Sequence, residues 1–195
     1  MAAVPGDVRT IAVIGAGALG RGIAQVAARG GYRTILEDLL PNALRRAESE
    51  IRSQLDRAVD SGRVTADVAN AAFSRLEFAG TVEDAARQAD LVIEVVPEEL
   101  ESKIEIFTLL DKICRPGTIL VSHLSSLSIT EISRVTYRAR NCLGMRFAEP
   151  VEYEKKLEII RGLETDDETL ATAVEVGRRM AKDTVVIEDA APGPT

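Results

Sequence analysis

Short runs of β-branched and aliphatic residues alternate with longer stretches in which apolar residues recur every three or four positions. The short runs predict buried strands, and the longer stretches predict helices with one apolar face. The predicted strands cover 11–14, 34–36, 75–78, 91–96, 118–121, 142–147, 157–160 and 185–187. The predicted helices cover 19–29, 41–61, 66–73, 82–88, 100–114, 129–135 and 167–181.

This alternation predicts an α/β fold of the Rossmann type, with a doubly wound, mostly parallel sheet. The consecutive helices at 41–61 and 66–73 form a helical insertion after the second strand. Pro41 suits the first turn of the longer helix, and Gly62 suits its C-terminal cap. We see no internal repeat that would divide the chain.

A G-x-G-x-x-G motif follows the first predicted strand and opens the first predicted helix. Gly15 permits a tight turn, Gly17 leaves room for a pyrophosphate, and Gly20 lets the helix pack closely on the strand. Ala18 and Leu19 place free N–H groups of the helix N-terminus beside the phosphates. The motif in this context predicts a dinucleotide site formed by these five residues.

Asp38 ends the second predicted strand, where the fold needs an acceptor for the adenine ribose hydroxyls. A carboxylate there repels a 2′-phosphate, and Leu39 and Leu40 follow it where an arginine would bind one. The sequence therefore favours NAD over NADP. FAD stays an alternative because flavoproteins share the opening motif. We assign residues 1–189 to one NAD-binding Rossmann domain and 190–195 to a tail or linker remnant.

Composition and charge narrow the classes of partner. Apolar residues make up 46% of the chain and aromatic residues only 4%, which suits a buried sheet packed with small aliphatic side chains. The net charge of −7, without a basic stripe, disfavours a nucleic-acid partner. No apolar run is long enough to span a membrane. The first seven residues do not form a signal peptide, so we expect a cytoplasmic protein.

The two cysteines, Cys114 and Cys142, share no metal-ligand or redox spacing. We expect two reduced, buried thiols and no metal site.

Several stretches together resemble the NAD-binding domain of the 3-hydroxyacyl-CoA dehydrogenases, in particular those of the 3-hydroxybutyryl-CoA type. The similarity extends over essentially the whole chain. The matching stretches are 11–17 with 22–27, 90–94 through 97–98 to Lys103, 125–130, 144–145 with Phe147 and Pro150, and 157–158 with 161–162. The helical insertion also resembles the one that helps this family to bind CoA.

The resemblance implies further contacts with the cofactor at the end of the fourth strand. Val96 and Pro97 would contact NAD, and Glu98 and Lys103 would lie beside the nicotinamide ribose. Two structural alternatives stay open. In the first, Glu98 has no ligand, and its negative charge stabilises the N-terminus of a helix. In the second, Lys103 forms an ion pair with Glu99 in solvent.

The family's chemistry is oxidation of a 3-hydroxyacyl group by hydride transfer to NAD, with a histidine base oriented by a glutamate. Ser125 matches a serine that polarises the substrate, and Glu158 matches the glutamate. Arg146 stands where the histidine belongs, and Glu149 replaces an asparagine. An arginine stays protonated and cannot act as a base at neutral pH. We expect an Arg146–Glu158 ion pair instead.

His123, the only histidine of the chain, replaces another asparagine of the family pattern. If the strand continues past it, His123 and Ser125 share one face. His123 is either a displaced base or a polar residue that contacts the cofactor.

Three functional hypotheses follow. The first is an NAD-dependent oxidoreductase of fatty acid metabolism, acting on a small-molecule substrate, either a 3-hydroxyacyl-CoA or a small hydroxy acid. The second is a non-catalytic NAD-binding module or inactive paralogue. The third is a dehydrogenase in which Arg146 binds a substrate carboxylate. The family's C-terminal helical domain is absent after Pro192-Gly193, which predicts a homodimer or a partner chain that completes the site.

Overall fold

A computed structural model describes residues 8–189. Within that range all strands join one sheet in the order β3-β2-β1-β4-β5-β6-β7-β8. The strands are β1 Thr10–Ile14, β2 Arg33–Glu37, β3 Leu76–Ala79, β4 Leu91–Glu94, β5 Ile119–His123, β6 Cys142–Phe147, β7 Lys156–Arg161 and β8 Asp183–Glu188. The helices are α1 Ala18–Arg29, α2 Pro41–Asp60, α3 Ala66–Phe73, α4 Val82–Ala86, α5 Leu100–Ile113, α6 Ile129–Ser133 and α7 Asp167–Arg179, with one 3-10 turn at Ala139–Asn141.

The sheet is doubly wound and mostly parallel, as the sequence predicts. The strand order reverses between β1 and β4, and only the pairing of β6 with β7 is antiparallel. At such a reversal the two connections leave on opposite faces of the sheet and open a crevice at the carboxyl ends of the strands. That crevice is where the glycine motif lies.

Both faces of the central sheet are buried, which explains why its strands read as continuous apolar runs. Alternate residues point to opposite faces, so Val13 and Leu36 join one core and Ala12 and Ile14 join the other. Helices α1, α2, α3 and α7 contribute side chains to the first core, and α4, α5 and α6 to the second.

The helical insertion forms as predicted. Ala47, Ile51 and Leu55 of α2 are buried along one stripe. Pro41 is in the first turn, and Gly62 has a φ of 70° just past the end of the helix. The stripe fixes α2 to the core and leaves its opposite face to solvent.

The carboxyl ends of two strands, β4 and β5, differ from the sequence prediction by two residues. β4 stops at Glu94 because the carboxylate of Glu94 accepts the N–H of Val96 at 3.0 Å, which turns the chain. β5 extends to His123 because His123 pairs with Met145 of β6. β5 ends at His123 and Ser125 lies in the loop that follows, so the strand on which the two side chains would share a face does not extend to Ser125.

Other expectations concern the cysteines, the membrane and the tail. Cys114 and Cys142 are free and buried, as predicted. No helix between residues 8 and 189 has the length and apolarity needed to cross a bilayer. The predicted tail, 190–195, lies outside the described residues.

Candidate cofactor and catalytic site

The glycine-rich turn joins β1 to α1 at the strand-order reversal. Gly15 has a φ of 107°, a conformation that side chains rarely allow. A Cβ on Gly20 would lie 1.8 Å from the carbonyl oxygen of Gly15, so only glycine lets α1 approach the turn this closely. A Cβ on Gly17 would meet nothing within 4 Å. The turn therefore leaves open space in front of the N-terminus of α1, whose N–H groups favour an anion.

Asp38 is fixed beside this turn by two backbone groups. Its Oδ2 accepts the N–H of Ala16 at 3.1 Å, and its Oδ1 accepts the N–H of Leu40 at 2.9 Å. The carboxylate therefore has a defined position with acceptor capacity to spare. Asp38 borders a cleft of about 500 Å³, here called the carboxyl-edge cleft. Its lining consists of Ile14, Gly15, Gly17, Glu37, Asp38, Leu39, Leu40, Val82, Val95, Val96, Pro97 and Ile106.

A buried charge cluster lies under the next strand ends. Lys103 and Glu94 are both fully buried, with the Lys103 Nζ 3.0 Å from the Glu94 Oε1. Nζ also donates to the carbonyl oxygen of His123 at 2.9 Å, and the Ser122 hydroxyl donates to Glu94. Burial raises the pKa of Glu94, while the charge of Lys103 opposes that rise. The alternative in which Lys103 pairs with Glu99 in solvent is wrong, because Lys103 binds Glu94 inside the fold.

Glu98 holds the loop that follows β5. Its Oε1 accepts the backbone N–H groups of Ser125 at 2.8 Å, Ser126 at 2.9 Å and Leu127 at 3.3 Å. Partial burial acts to raise the pKa of Glu98, but these bonds hold it below its usual value. Its Oε2 lies 3.9 Å from the Nζ of Lys103. Glu98 is therefore an anion that positions Ser125, and its hydrogen bonds do not go to the N-terminus of α5.

Arg146 is held in place by three hydrogen bonds. Its Nη1 donates to the Glu158 Oε2 at 2.7 Å, its Nε to the carbonyl oxygen of Leu124 at 2.9 Å, and its Nη2 to that of Ser125 at 2.8 Å. Arg146 and Glu158 are also opposite each other in the β6–β7 register. Hydrogen bonds from Lys156 and Arg146 hold the pKa of Glu158 low. The expected Arg146–Glu158 ion pair is present.

His123 ends β5 with its ring stacked on Phe147, the centroids being 6.5 Å apart. Its Nε2 is buried and has no hydrogen-bond partner in the described part of the chain. Burial, together with the charge of Lys103, lowers the pKa of His123 to about 4. The imidazole is therefore neutral at physiological pH.

The chain is similar to known proteins over most of its length. The model of the 3-hydroxyacyl-CoA dehydrogenase NAD-binding domain matches residues 10–190. The chain belongs to this family. A probable 3-hydroxybutyryl-CoA dehydrogenase of Bacillus subtilis is 39% identical over 94% of this chain and 63% of its own length. The 3-hydroxyadipyl-CoA dehydrogenase of Escherichia coli is 37% identical over 87% of this chain and 36% of its own length.

A solved structure agrees with this assignment. The 3-hydroxybutyryl-CoA dehydrogenase of Escherichia coli K12 superposes with a TM-score of 0.90 at 35% identity, over 93% of this chain and 38% of that one. The chain thus spans less than two thirds of the length of these relatives.

NAD is the cofactor of this NAD-binding domain, and the described residues fit it. The space beside Gly17 suits a pyrophosphate, because a Cβ there would enter open space and not protein. Asp38 stands at the end of β2 with its carboxylate held by backbone N–H groups. Among residues 8–189, no arginine or lysine lines the carboxyl-edge cleft to bind a 2′-phosphate.

The structure brings most predicted residues to one edge of the sheet. Val96 and Pro97 line the same cleft as Gly15, Gly17 and Asp38. Ser125, His123, Arg146 and Glu158 cluster around the ends of β5 and β6 and the facing strand β7.

Sequence reasoning assigned no role to Glu94, Ser122 or Glu37. Glu94 and Glu37 could have been recognised from the sequence, because each is a charged residue that directly follows the apolar residues of a predicted or observed strand. Ser122 carried no such signal.

Proposed function

We propose that this domain serves an NAD-dependent oxidoreductase that oxidises a 3-hydroxyacyl thioester or a small hydroxy acid, with a fixed arginine where relatives carry their base. Bound NAD supplies the hydride acceptor. The pyrophosphate is held by the glycine turn at Gly15, Gly17, Ala18, Leu19 and Gly20. Asp38 binds the adenine ribose, and Val96 and Pro97 contact the cofactor along the carboxyl-edge cleft.

The remaining site residues arrange the substrate end. Glu98 fixes the loop that carries Ser125, whose side chain is exposed and available to a substrate oxygen. Lys103 is buried and acts through Glu94 and Glu98, so we assign it to positioning the nicotinamide side of the cleft. His123 contributes a neutral imidazole next to this region.

The observation that carries the proposal is the geometry of Arg146. A guanidinium has five N–H groups, and the three bonds described above leave two of them available. These can stabilise an oxyanion on the substrate but cannot take up its proton. The hydroxyl proton then passes to solvent. Loss of a general base typically costs about 10²–10⁴-fold in rate.

The test compares wild type with Arg146→His, which restores an imidazole beside Glu158. Oxidation of short 3-hydroxyacyl-CoAs should be slow in wild type at neutral pH and rise with pH. In Arg146→His it should increase about tenfold or more and level off above a pH of roughly 6.5–7, where an imidazole is unprotonated. NADH formation is followed spectrophotometrically, with the chain alone and with a relative's helical domain supplied. NAD titration of both proteins is the control.

His123→Ala distinguishes the other outcomes. Robust wild-type turnover that survives this substitution would contradict the role of Arg146, since another group would act as base. Wild-type turnover destroyed by it, with unchanged NAD affinity, would identify His123 as a displaced base.

A non-catalytic NAD-binding module is the second candidate. It is favoured by the engagement of Arg146 with Glu158 and two carbonyl oxygens, and by the low pKa of His123, which makes it a weak base. Absence of turnover in both wild type and Arg146→His, with NAD still bound, would support this candidate.

A further inference from the structure

Glu37 is a buried acid that no step of the proposed chemistry uses. It is the last residue of β2, and its exposed fraction is only 3%. Its Oε1 is buried without a hydrogen-bond partner between residues 8 and 189. A buried polar atom without a partner costs about 1–3 kcal/mol, so such atoms are rare unless a ligand completes them.

Glu37 is one of the residues that line the carboxyl-edge cleft. Residues alternate along β2, which puts Glu37 on the same sheet face as Ile35, toward α4 and α5. The cleft on that face is lined by Glu37 together with Val82 of α4 and Ile106 of α5. These apolar neighbours cannot satisfy a carboxyl oxygen. Asp38, the adjacent residue, borders the same cleft.

The electrostatics agree with this geometry. Burial, with the nearby charge of Asp38, raises the pKa of Glu37 to about 7. In the part of the chain that the structure describes, no cationic side chain lines the cleft to compensate for the charge of ionised Glu37. A ligand that donates a hydrogen bond to the Glu37 carboxylate would favour its ionised form.

We propose that Glu37 is a second cofactor-contacting carboxyl, which accepts a hydrogen bond from the adenosine half of NAD and adds to Asp38 in rejecting the 2′-phosphate of NADP. The donor is either a ribose hydroxyl or the 6-amino group of adenine. The inference rests on NAD binding and is independent of the chemistry at Arg146.

Two substitutions test it. Glu37→Leu removes the acceptor and the buried polar atom together. NAD affinity, measured by calorimetry, should fall about 3–30-fold, which is the usual range for one lost hydrogen bond, while the melting temperature without ligand stays equal or rises. Glu37→Gln keeps an acceptor but removes the charge. It should keep NAD affinity within about threefold and bind NADP about threefold or more tightly than wild type does.

Glu77→Gln is the matched control, because Glu77 lies on the neighbouring strand β3 with an exposed side chain paired to Arg33. It should leave both affinities unchanged. Nicotinamide hypoxanthine dinucleotide, which has a carbonyl in place of the 6-amino group, identifies the donor. If wild type binds it as weakly as Glu37→Leu binds NAD, the donor is the amino group. If wild type binds it like NAD, and Glu37→Leu weakens both, the donor is a ribose hydroxyl.

Wild-type affinity of a folded Glu37→Leu for NAD would overturn the proposal. If that variant does not fold, an unchanged ratio of NAD to NADP affinity in Glu37→Gln overturns it. Failure of the proposed oxidoreductase activity leaves these readouts intact, since both are measured without turnover.

Discussion

At Gly17 the backbone enters α1 with a φ of −64°, and no protein atom lies within 4 Å of the place where a Cβ would stand. The fold therefore does not require glycine at this position. Gly20 differs, since its Cβ would overlap the carbonyl oxygen of Gly15. Packing therefore requires glycine at position 20, whereas at position 17 we propose that the bound cofactor requires it.

Gly17→Val should therefore fold normally and lose NAD binding, since the added side chain would occupy the space of the pyrophosphate. We expect a drop in affinity of about 100-fold or more in calorimetry, with an unfolding midpoint close to that of wild type. Gly20→Val is the control and should fail to fold. A folded Gly17→Val that binds NAD as wild type does would place the phosphates elsewhere.

Residue positions were predictable where one local pattern determines them. The glycine motif and Asp38 follow from spacing along the chain, and the Arg146–Glu158 pair follows from opposite charges at equivalent family positions. Glu37 and the partner of Lys103 were not predictable in this way. Glu37 lies next to Asp38 in sequence, and only the three-dimensional fold shows that it also lines the cleft. The distance between Lys103 and Glu94 likewise depends on how α5 packs under β4.

At the scale of elements, the Lys103–Glu94 pair connects three segments. Glu94 ends β4, Lys103 belongs to α5, and the same Nζ binds the last carbonyl group of β5. Both side chains are fully buried, so each charge depends on the other for compensation. The pair therefore holds the carboxyl ends of β4 and β5 against α5.

Lys103→Met should destabilise the domain by roughly 3–5 kcal/mol, because it leaves the charge of Glu94 buried and unpaired. Urea unfolding without NAD measures this loss. The double variant Glu94→Gln with Lys103→Met should recover most of it, since no buried charge remains and the glutamine oxygen can still accept from Ser122. A double variant no more stable than the single one would contradict this account.

Element types were more predictable than element ends. Each strand and helix of the described range was expected from hydrophobic periodicity, apart from the 3-10 turn at 139–141. The ends of β4 and β5 were missed because they depend on tertiary contacts. β4 is stopped by a side-chain bond from its own Glu94, and β5 is prolonged by pairing with β6. Periodicity along the chain contains neither kind of information.

At the scale of the whole molecule, two pairs of sequence-adjacent apolar side chains are exposed in the described range. Leu39 and Leu40 are exposed at the carboxyl end of β2, at 72% and 66%. Val185 and Val186 are both exposed on β8, although neighbouring strand residues point to opposite faces. In the described range β8 is one of the two edge strands of the sheet, with β3 at the opposite edge, and it has no strand partner on its outer side.

We expect these surfaces to be covered by a second copy or a partner chain. Sedimentation velocity should show a sedimentation coefficient that increases with protein concentration. Val186→Lys should shift this equilibrium toward the monomer, because a charge on an exposed edge strand opposes association. Lys156→Gln, which removes an exposed charge from the neighbouring strand, is the control. A wild-type protein that stays monomeric at every concentration would argue against assembly.

The single imidazole of the chain can serve as an intrinsic probe in NMR spectroscopy. The chain has one histidine, and the ring of His123 is stacked on Phe147 with its carbonyl group bound to Lys103. The histidine ring protons in an NMR spectrum therefore come from a single place, next to the buried cluster under the cleft. No isotope or fluorescent label is needed to read occupancy there. The chemical shifts of the two His123 ring protons would report the binding of the cofactor and the protonation of the ring near pH 4. They would also report the effect of each substitution at Arg146.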